Sequence, residues 1–180
     1  MANNKTNRCL YLSDFKSFIE SDPYSILGRI HDAFHGQALT TTDEAWNSEI
    51  NLLQSVLVPW KDEDAEIIFE YDIPRLGKRI DAVLLLRGII FCFEFKVGQK
   101  DALQSDVEQV MDYALDLKNF HRYSHDRIIV PILIPTKHRS SSNSFTPSVY
   151  EDSIFNPLIT GANGLQNLIN GVLQHASCLL

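Results

Sequence analysis

The chain has 180 residues, of which 44% are hydrophobic and 22% are charged, a composition typical of a single globular domain. It contains no apolar run long enough to span a bilayer and no secretory signal, and its three cysteines lack metal-ligand spacing, so we expect a cytoplasmic protein with no membrane partner. The net charge of -7 argues against binding of nucleic acid by bulk positive charge, and any phosphate contact must come from local basic clusters.

The apolar periodicity predicts three helices before the first strand, over residues 13–20, 24–35 and 43–58. In the third helix, Trp46, Ile50 and Leu53 recur at helical spacing and indicate a buried face. Glu49 lies on or beside that face, where a carboxylate is unusual unless something cationic faces it. The alternative is a boundary glutamate whose carboxylate reaches solvent.

A β-hairpin is predicted from the stretch RIDAVLLLRGIIFCFEFKVG. Two apolar runs rich in β-branched residues flank Arg87 and Gly88, the expected two-residue turn. Counting outward from that turn places Asp81 opposite Glu94, and the alternation of side chains puts Lys96 on the same face as Glu94. One face of the hairpin therefore carries three charged groups. The other face is expected to be wholly apolar and consists of Ile80, Ala82, Leu84, Leu86, Ile89, Phe91, Phe93 and Phe95.

Charged groups in such an apolar strand pair need partners, because burying an unpaired charge costs several kcal/mol. Asp81 and Glu94 would repel each other, and a divalent cation between them removes that repulsion. Hard carboxylate oxygens suit Mg²⁺ or Mn²⁺, which could also bind a substrate phosphate. Lys96 beside them could polarise an attacking water or stabilise charge on phosphorus. The alternative is a Glu94–Lys96 surface pair on an edge strand, with Asp81 at a strand end.

A long helix is predicted over residues 100–120. Gln109 and Tyr113, four residues apart, lie together on a stripe beside its apolar face. They form either a polar flank or a surface that overlooks the carboxylates, where the amide and the phenol could bind a nucleic-acid strand. Lys78 and Arg79, at the start of the hairpin, are either a solvated rim or contacts to a phosphate backbone beside the metal.

The remaining strands are predicted at residues 66–73, 128–134 and 149–154, and a last helix from residue 163 or 164. This order of elements predicts an α/β domain with a mixed sheet of four or five strands flanked by helices. We expect one domain, with N-terminal helices at 1–42, a catalytic core at 43–135, and a loop and C-terminal helix at 136–180. The apolar end leads us to expect that the sequence is the N-terminal part of a longer chain.

Asp81, followed by Glu94, Phe95 and Lys96 on the next strand, resembles the signature of the PD-(D/E)XK nuclease superfamily. Ile80 stands where that signature has its proline, a departure that the superfamily commonly shows. The short motif is weak by itself, and its order and spacing on two paired strands make it more specific.

Gln109 and Tyr113 form a Gln-x-x-x-Tyr pattern that resembles the RecB-like branch of this superfamily. The wider setting, GKRIDAVLL, then FEFKVGQ, then DVEQVMDYALDLKNFH, resembles the N-terminal nuclease domain of bacterial Schlafen-type nuclease–helicase proteins. The resemblance covers roughly residues 45–135, and it implies a helicase domain C-terminal to this sequence as a partner.

The resemblance implies a restriction-endonuclease-like core and a metal-dependent nuclease. Asp81 and Glu94 would hold Mg²⁺ or Mn²⁺, with the carbonyl of Phe95 and the carboxylate of Glu49 completing the shell. Lys96 would position or activate water, so that Lys96, Asp81 and Glu94 are the expected catalytic residues.

Substrate binding would fall to Gln109, Tyr113, Arg79 and Lys78. We expect DNA as the nucleic-acid partner. Two alternatives remain: a nuclease that cleaves RNA, and a catalytically silent module that binds nucleic acid or regulates on the same scaffold.

Overall fold

The computed structural model describes residues 8–34, 43–73, 77–139 and 148–176. These segments form an α/β domain. In chain order its elements are β1 (Tyr11–Asp14), α1 (Phe15–Glu20), α2 (Pro23–Phe34), α3 (Asp43–Leu57), β2 (Ala65–Ile73), β3 (Lys78–Leu86), β4 (Ile89–Lys96), α4 (Gln104–Phe120), β5 (Ile128–Pro135), β6 (Leu158–Ile159) and α5 (Leu165–Ala176).

The strands of the described segments form one open six-stranded sheet in the order β1-β2-β3-β4-β5-β6. Strands β1 to β4 are antiparallel neighbours, whereas β4, β5 and β6 run parallel. A parallel pair needs a crossover, and α4 provides the one between β4 and β5. The predicted mixed sheet flanked by helices is confirmed, but the predicted number of strands is wrong.

The hairpin of β3 and β4 has the register that its turn predicts as far as Ala82 and Phe93, and the predicted pair of Asp81 with Glu94 lies beyond the paired segment. Leu86 is paired with Ile89 and Val83 with Cys92. Arg87 and Gly88 have φ values of 51° and 76°, and two consecutive positive φ angles are the geometry of a tight turn that matches the twist of the strands.

Two apolar clusters cover opposite faces of this hairpin. The first contains Leu84 and Phe91 of the hairpin together with buried residues of α1, α2, α3 and α5. The second contains Val83 and Cys92, which pack against Leu117 and its neighbours on α4. Both faces of the hairpin are therefore buried, as the apolar runs predict for a central sheet covered by helices.

The sheet opens into a fork at one end of the hairpin. The pairing of β3 with β4 extends from the turn to Ala82 and Phe93. Beyond that point, β3 continues to pair with β2 as far as Lys78, and β4 continues to pair with β5 as far as Lys96. The two central strands therefore cease to pair with each other beyond Ala82 and Phe93.

Strands β2 and β3 form one arm of the fork, called the outer arm below. Along this arm, alternate side chains move from one face of the sheet to the other. Phe69 and Ala82 pack in the first cluster, whereas the next residues outward on the same strands, Tyr71 and Ile80, pack in the second. A regular strand would keep such alternate residues on one face. Glu70 interrupts the alternation, because its φ of 53° is left-handed. The expectation that Ile80 shares the apolar face of Ala82 is therefore wrong.

The two additional strands lie at the edges of the sheet. Strand β1, Tyr11–Asp14, pairs with β2, and α1 begins only after it, with Asp14 as the N-cap that accepts a 2.8 Å hydrogen bond from Ser17 N. Strand β6 is Leu158–Ile159, while the segment predicted as an edge strand at 149–154 makes only isolated bridges. Two-residue and four-residue edge strands carry too little periodicity to be recognised in a sequence.

The remaining helix boundaries differ from the predicted ones by a few residues. Helix α4 starts at Gln104, not at residue 100, and the segment before it is tied to the turn after β5 by a hydrogen bond from Lys137 N to Gln99 O. Residues 140–147, within the predicted segment of loop and C-terminal helix at 136–180, and the apolar end at 178–180 lie outside the described residues. In the part of the chain that the structure describes, no helix has the length and apolar character needed to cross a membrane.

Candidate functional site

Four acidic side chains from four elements border the fork between β3 and β4. They are Glu49 of α3, Glu70 of β2, Asp81 of β3 and Glu94 of β4. Glu49, Glu70 and Glu94 expose only 3%, 5% and 4% of their surface, and Asp81 keeps some access to solvent. Buried carboxylates at this density are unusual in a domain that is otherwise apolar inside, and they mark the fork as the candidate site.

Asp81 is held in place by the backbone of the opposite arm. Its Oδ2 accepts a 2.8 Å hydrogen bond from Phe95 N, at the point where β3 and β4 have ceased to pair. Burial raises the pKa of Asp81 well above its usual value, and the neighbouring Glu94 and Glu49 raise it further. Glu94 therefore lies close enough to Asp81 to act on its pKa, and the predicted metal-binding roles of both carboxylates and of the Phe95 carbonyl stay predictions.

Glu94 contacts both neighbouring side chains that the sequence singles out. Its Oε1 accepts a 2.9 Å hydrogen bond from Lys96 Nζ and another of 2.9 Å from Gln109 Nε2. Burial raises the pKa of Glu94, and the ammonium group of Lys96 opposes that shift. Glu94 and Lys96 lie on one side of β4, as strand alternation predicts.

Lys96 is surrounded by acceptors. Besides Glu94, its Nζ lies 3.2 Å from Asp106 Oδ1 and 3.4 Å from Gln109 Oε1. Burial acts to lower the pKa of Lys96, but the hydrogen bonds and charges of Glu94 and Asp106 outweigh it, and the pKa lies above its ordinary value. Lys96 is therefore a cation at neutral pH and can donate hydrogen bonds but cannot accept a proton.

Helix α4 turns its polar flank toward the carboxylates. Gln109 bridges Glu94 and Tyr113, because its amide nitrogen donates a hydrogen bond to each. Burial raises the pKa of Tyr113, and Glu94 raises it further, so the phenol stays protonated. Of the two interpretations of this Gln-x-x-x-Tyr pair, the structure shows the one in which the flank overlooks the carboxylates.

Glu49 faces the other carboxylates rather than solvent. Burial raises the pKa of Glu49 to about 8, and Glu70 and Glu94 contribute to the shift. Glu70 lies beside it and accepts a 2.8 Å hydrogen bond from the indole nitrogen of Trp46, one turn before Glu49 on α3. Helix α3 therefore contributes both an acid and a donor that orients a neighbouring acid.

Several carboxylate oxygens of the site have no hydrogen-bond partner. Glu49 Oε2, Glu94 Oε2 and Asp106 Oδ2 are fully buried and unpaired. Leaving a buried acceptor unsatisfied costs on the order of 1–3 kcal/mol, and more for a charged group. Oxygen atoms in this state fit a hard divalent cation such as Mg²⁺ or Mn²⁺.

The carboxylates of the described residues are not arranged as a ready-made metal site. Across the described segments, no group of three or more His, Cys, Asp or Glu side chains is arranged to hold a metal ion. Glu94 Oε1 is instead bound by Lys96 and Gln109, so binding of a cation at this site would require these side chains to shift.

The two basic residues predicted to contact substrate lie on the outer arm of the fork and pair with acids. Lys78 Nζ is 3.6 Å from Asp112 Oδ2. Arg79 Nε is 2.7 Å from Asp72 Oδ1, and its guanidinium also lies 4.0 Å from Glu70. Arg79 thus lies beside Glu70 of the site, and the predicted role of Lys78 and Arg79 in substrate binding stays a prediction.

Two site residues, Glu70 and Asp106, are absent from the predicted set. Glu70 stands opposite Asp81 in the register of β2 with β3, between the pairs Phe69–Ala82 and Tyr71–Ile80. That register cannot be counted from a two-residue turn, because the connection between these strands is longer. Asp106 lies one turn before Gln109 on α4, and that spacing is the signal that could have identified it.

Comparison with protein-family models, with curated proteins and with solved structures gave no match. What this site does must therefore be argued from its own chemistry.

Proposed function

We propose that this chain is a metal-dependent nuclease with a restriction-endonuclease-like core of the RecB-like PD-(D/E)XK type, and that it hydrolyses phosphodiester bonds, in DNA rather than RNA. The α/β sheet with its forked central hairpin supports this proposal, as does the convergence of Asp81, Glu94 and Lys96. Helicase sequences following this domain would supply the nucleic acid.

The observation that carries the proposal is the pair of buried, unpartnered oxygens at the fork, Glu49 Oε2 and Glu94 Oε2. They lie with Asp81 in a cluster in which burial, and then acidic neighbours that include Glu94, raise the pKa of both Glu49 and Asp81. The charged forms of these groups repel one another, and that repulsion is relieved either by protonation or by a bound cation. Asp81, Glu94 and Glu49, with the Phe95 carbonyl, would hold Mg²⁺ or Mn²⁺, which supplies Lewis-acid activation of water and of the phosphate.

Lys96 contributes positive charge at the same place. Because it stays protonated, it cannot take a proton from the attacking water. It can donate hydrogen bonds to a phosphate oxygen or to that water, and so stabilise the charge that develops on phosphorus. Lys96 would then exchange its present contacts with Glu94 and Asp106 for contacts with substrate.

Gln109 and Tyr113 would hold the strand at the site. The Gln109 amide donates to both Glu94 and the Tyr113 hydroxyl, so the phenol O–H could donate to a substrate phosphate near Glu94, and the amide could do so by releasing Glu94. This positioning role does not depend on proton transfer, since the phenol is held in its protonated form.

Cleavage assays test the proposal directly. Labelled single-stranded DNA, duplex DNA and RNA are incubated with the protein and Mg²⁺ or Mn²⁺, and in parallel with EDTA. We expect metal-dependent cleavage of DNA, and a loss of about a hundredfold or more in Lys96→Ala, because removal of one transition-state contact typically has that effect. Lys100→Ala, which changes an exposed lysine outside the fork, is the matched control and should cleave normally.

Calorimetric titration with Mg²⁺ separates the remaining outcomes. Binding that is present in the native protein and lost in Asp81→Ala, without cleavage of any substrate, would indicate a silent module on this scaffold. Cleavage that persists in EDTA or survives Lys96→Ala unchanged would contradict the proposed chemistry.

A further inference from the structure

Aromatic side chains collect at the C-terminal end of α4, outside the carboxylate site. Tyr71 of β2 packs edge-on against His121 with 6.3 Å between ring centroids, and His121 packs against Tyr123 at 5.9 Å. The His121 ring is anchored by the hydroxyl of the buried Ser124, which lies 2.7 Å from its Nδ1. Tyr123 is 79% exposed, so its ring is available to a partner. Tyr71, His121 and Tyr123 are called the aromatic patch below.

Positive charge borders the aromatic patch, in contrast to the acidic character of the whole chain. Arg8 and His125 both lie close enough to His121 to act on it, because its pKa is lowered first by burial and then by these two side chains. Arg122, which follows His121, is exposed. An exposed aromatic ring, here that of Tyr123 beside the half-buried Tyr71 and His121, next to cationic side chains is a combination that binds nucleic-acid strands.

The aromatic patch adjoins the carboxylate site through two elements. Tyr71 directly follows Glu70 in β2, and its ring belongs to the apolar cluster on the side of α4. On α4 itself, Tyr113 contacts the site through Gln109, and His121 lies eight residues farther along the chain. Eight residues correspond to about 12 Å along a helix axis. A strand with one phosphate at the carboxylates could therefore place bases a few nucleotides away on the aromatic patch.

We propose that the aromatic patch stacks unpaired bases of a nucleic-acid strand whose backbone continues to the carboxylate site. This inference rests on the proposed nuclease function and specifies its substrate as single-stranded nucleic acid or a duplex with an unpaired end. Stacking on an exposed ring requires a free base face, and in a duplex both faces of each interior base are covered by neighbouring bases. Arg8 and Arg122 would contact the phosphates alongside.

The geometry also explains how an acidic protein can hold a polyanion. Asp72, the acid that follows Tyr71, has its carboxylate bound by Arg79 at 2.7 Å, so it is partly neutralised. The interaction would depend on stacking more than on charge. Unpaired DNA and unpaired RNA share this chemistry, and the experiment below includes both.

Fluorescence anisotropy of the whole chain tests the inference. The probes are labelled oligothymidine, oligouridine and a blunt DNA duplex of the same length, in EDTA so that no metal-dependent cleavage occurs. We expect the single strands to bind more tightly than the duplex, and Tyr123→Ala to weaken their binding about tenfold, the effect typical of losing one base–aromatic stack. Tyr123→Trp, which keeps a stacking ring, should bind like the native protein. Tyr24→Ala is the matched control, because Tyr24 is 72% exposed on α2, in the layer covering the opposite face of the sheet.

Three results would overturn the inference: single-strand affinity unchanged in Tyr123→Ala, duplex binding as tight as single-strand binding, or binding of no probe. If Tyr123→Ala weakens the binding of one of the two probes, oligothymidine or oligouridine, more than that of the other, the difference identifies the kind of strand that the aromatic patch binds. The metal titration with Asp81→Ala is independent of Tyr123. If Mg²⁺ binds but Tyr123→Ala has no effect, the inference fails and the proposed nuclease stands; if Tyr123 matters but no metal binds, the proposed nuclease fails.

Discussion

Glu49 is an acidic residue on the buried, otherwise apolar side of helix α3. Helix α3 buries Trp46 and Ile50 completely against the core, and Glu49 lies on the same buried side with 3% of its surface exposed. A carboxylate there cannot ionise cheaply, because both its burial and its acidic neighbours disfavour the charged form. The position of Glu49 could be predicted from helical spacing, and its elevated pKa could not, since Glu70 belongs to a strand that is distant in sequence.

Replacing Glu49 by glutamine should change the pH dependence of stability. The pKa of Glu49 rises from 4.5 to about 8 on folding, so the folded protein retains a proton that the unfolded chain releases. The resulting penalty is absent below about pH 4.5, grows as the pH rises, and levels off above about pH 8. Glu49→Gln should therefore melt at a higher temperature than the native protein at about pH 9, by on the order of several degrees, and at nearly the same temperature at about pH 4.5.

Thermal melts in EDTA at several pH values measure this difference. Glu44→Gln on the exposed side of α3 is the control and should follow the native curve. Addition of Mg²⁺ at the higher pH should stabilise the native protein more than Glu49→Gln, because a bound cation removes the penalty that the substitution removes. A constant difference at every pH would show that Glu49 does not titrate as described.

The site is formed by the fork between β3 and β4. The sequence predicts the paired part of this hairpin but not the point where the two strands separate. The turn at Arg87 and Gly88 fixes the register of the pairs that follow Leu86–Ile89 away from the turn, because a slip by one residue would move the apolar side chains to the wrong face of the sheet. The point where pairing ends cannot be inferred in that way. It depends on the Asp81 carboxylate, which takes the hydrogen bond of Phe95 N, and on the left-handed backbone of Glu70.

Two substitutions at Asp81 should separate its structural and chemical roles. Asp81→Asn keeps an oxygen that can accept the hydrogen bond from Phe95 N and replaces an acid whose charged form is disfavoured by burial, Glu94 and Glu49, so it should fold with native or greater stability in EDTA. Asp81→Ala leaves the Phe95 N–H without that acceptor and should lose about 1–3 kcal/mol. Both variants should fail to bind Mg²⁺.

Chemical denaturation measures the first effect and calorimetry the second. Mg²⁺ binding by Asp81→Asn with native affinity would remove Asp81 from the cation site. Equal stability of the asparagine and alanine variants would show that the hydrogen bond to Phe95 N does not hold the fork together.

At the scale of the whole molecule, charge is distributed unevenly along an acidic chain. Residues 1–74 contain 5 Lys and Arg against 13 Asp and Glu, whereas residues 75–180 contain 11 against 10. Several of the basic side chains near the site are already paired, Lys78 with Asp112 and Arg79 with Asp72. The net charge of -7 could be read from composition, but the neutralisation of individual basic residues depends on tertiary contacts between β2, β3 and α4.

Binding of a single strand should therefore depend weakly on salt. Each phosphate neutralised by a cationic side chain contributes a slope of about -0.7 to the dependence of log K on log salt concentration for single strands. Arg8 and Arg122 beside the aromatic patch, with Lys96 at the carboxylates, would give a slope of roughly -2, which is much shallower than that of proteins that bind through an extensive basic surface.

Anisotropy titrations with oligothymidine between about 50 mM and 200 mM salt measure this slope. Arg122→Ala should reduce its magnitude by about 0.7 while Tyr123→Ala leaves it unchanged and lowers the affinity at every salt concentration, because stacking releases no counterions. A slope steeper than about -4 would instead indicate many phosphate contacts and would contradict a binding mode dominated by stacking.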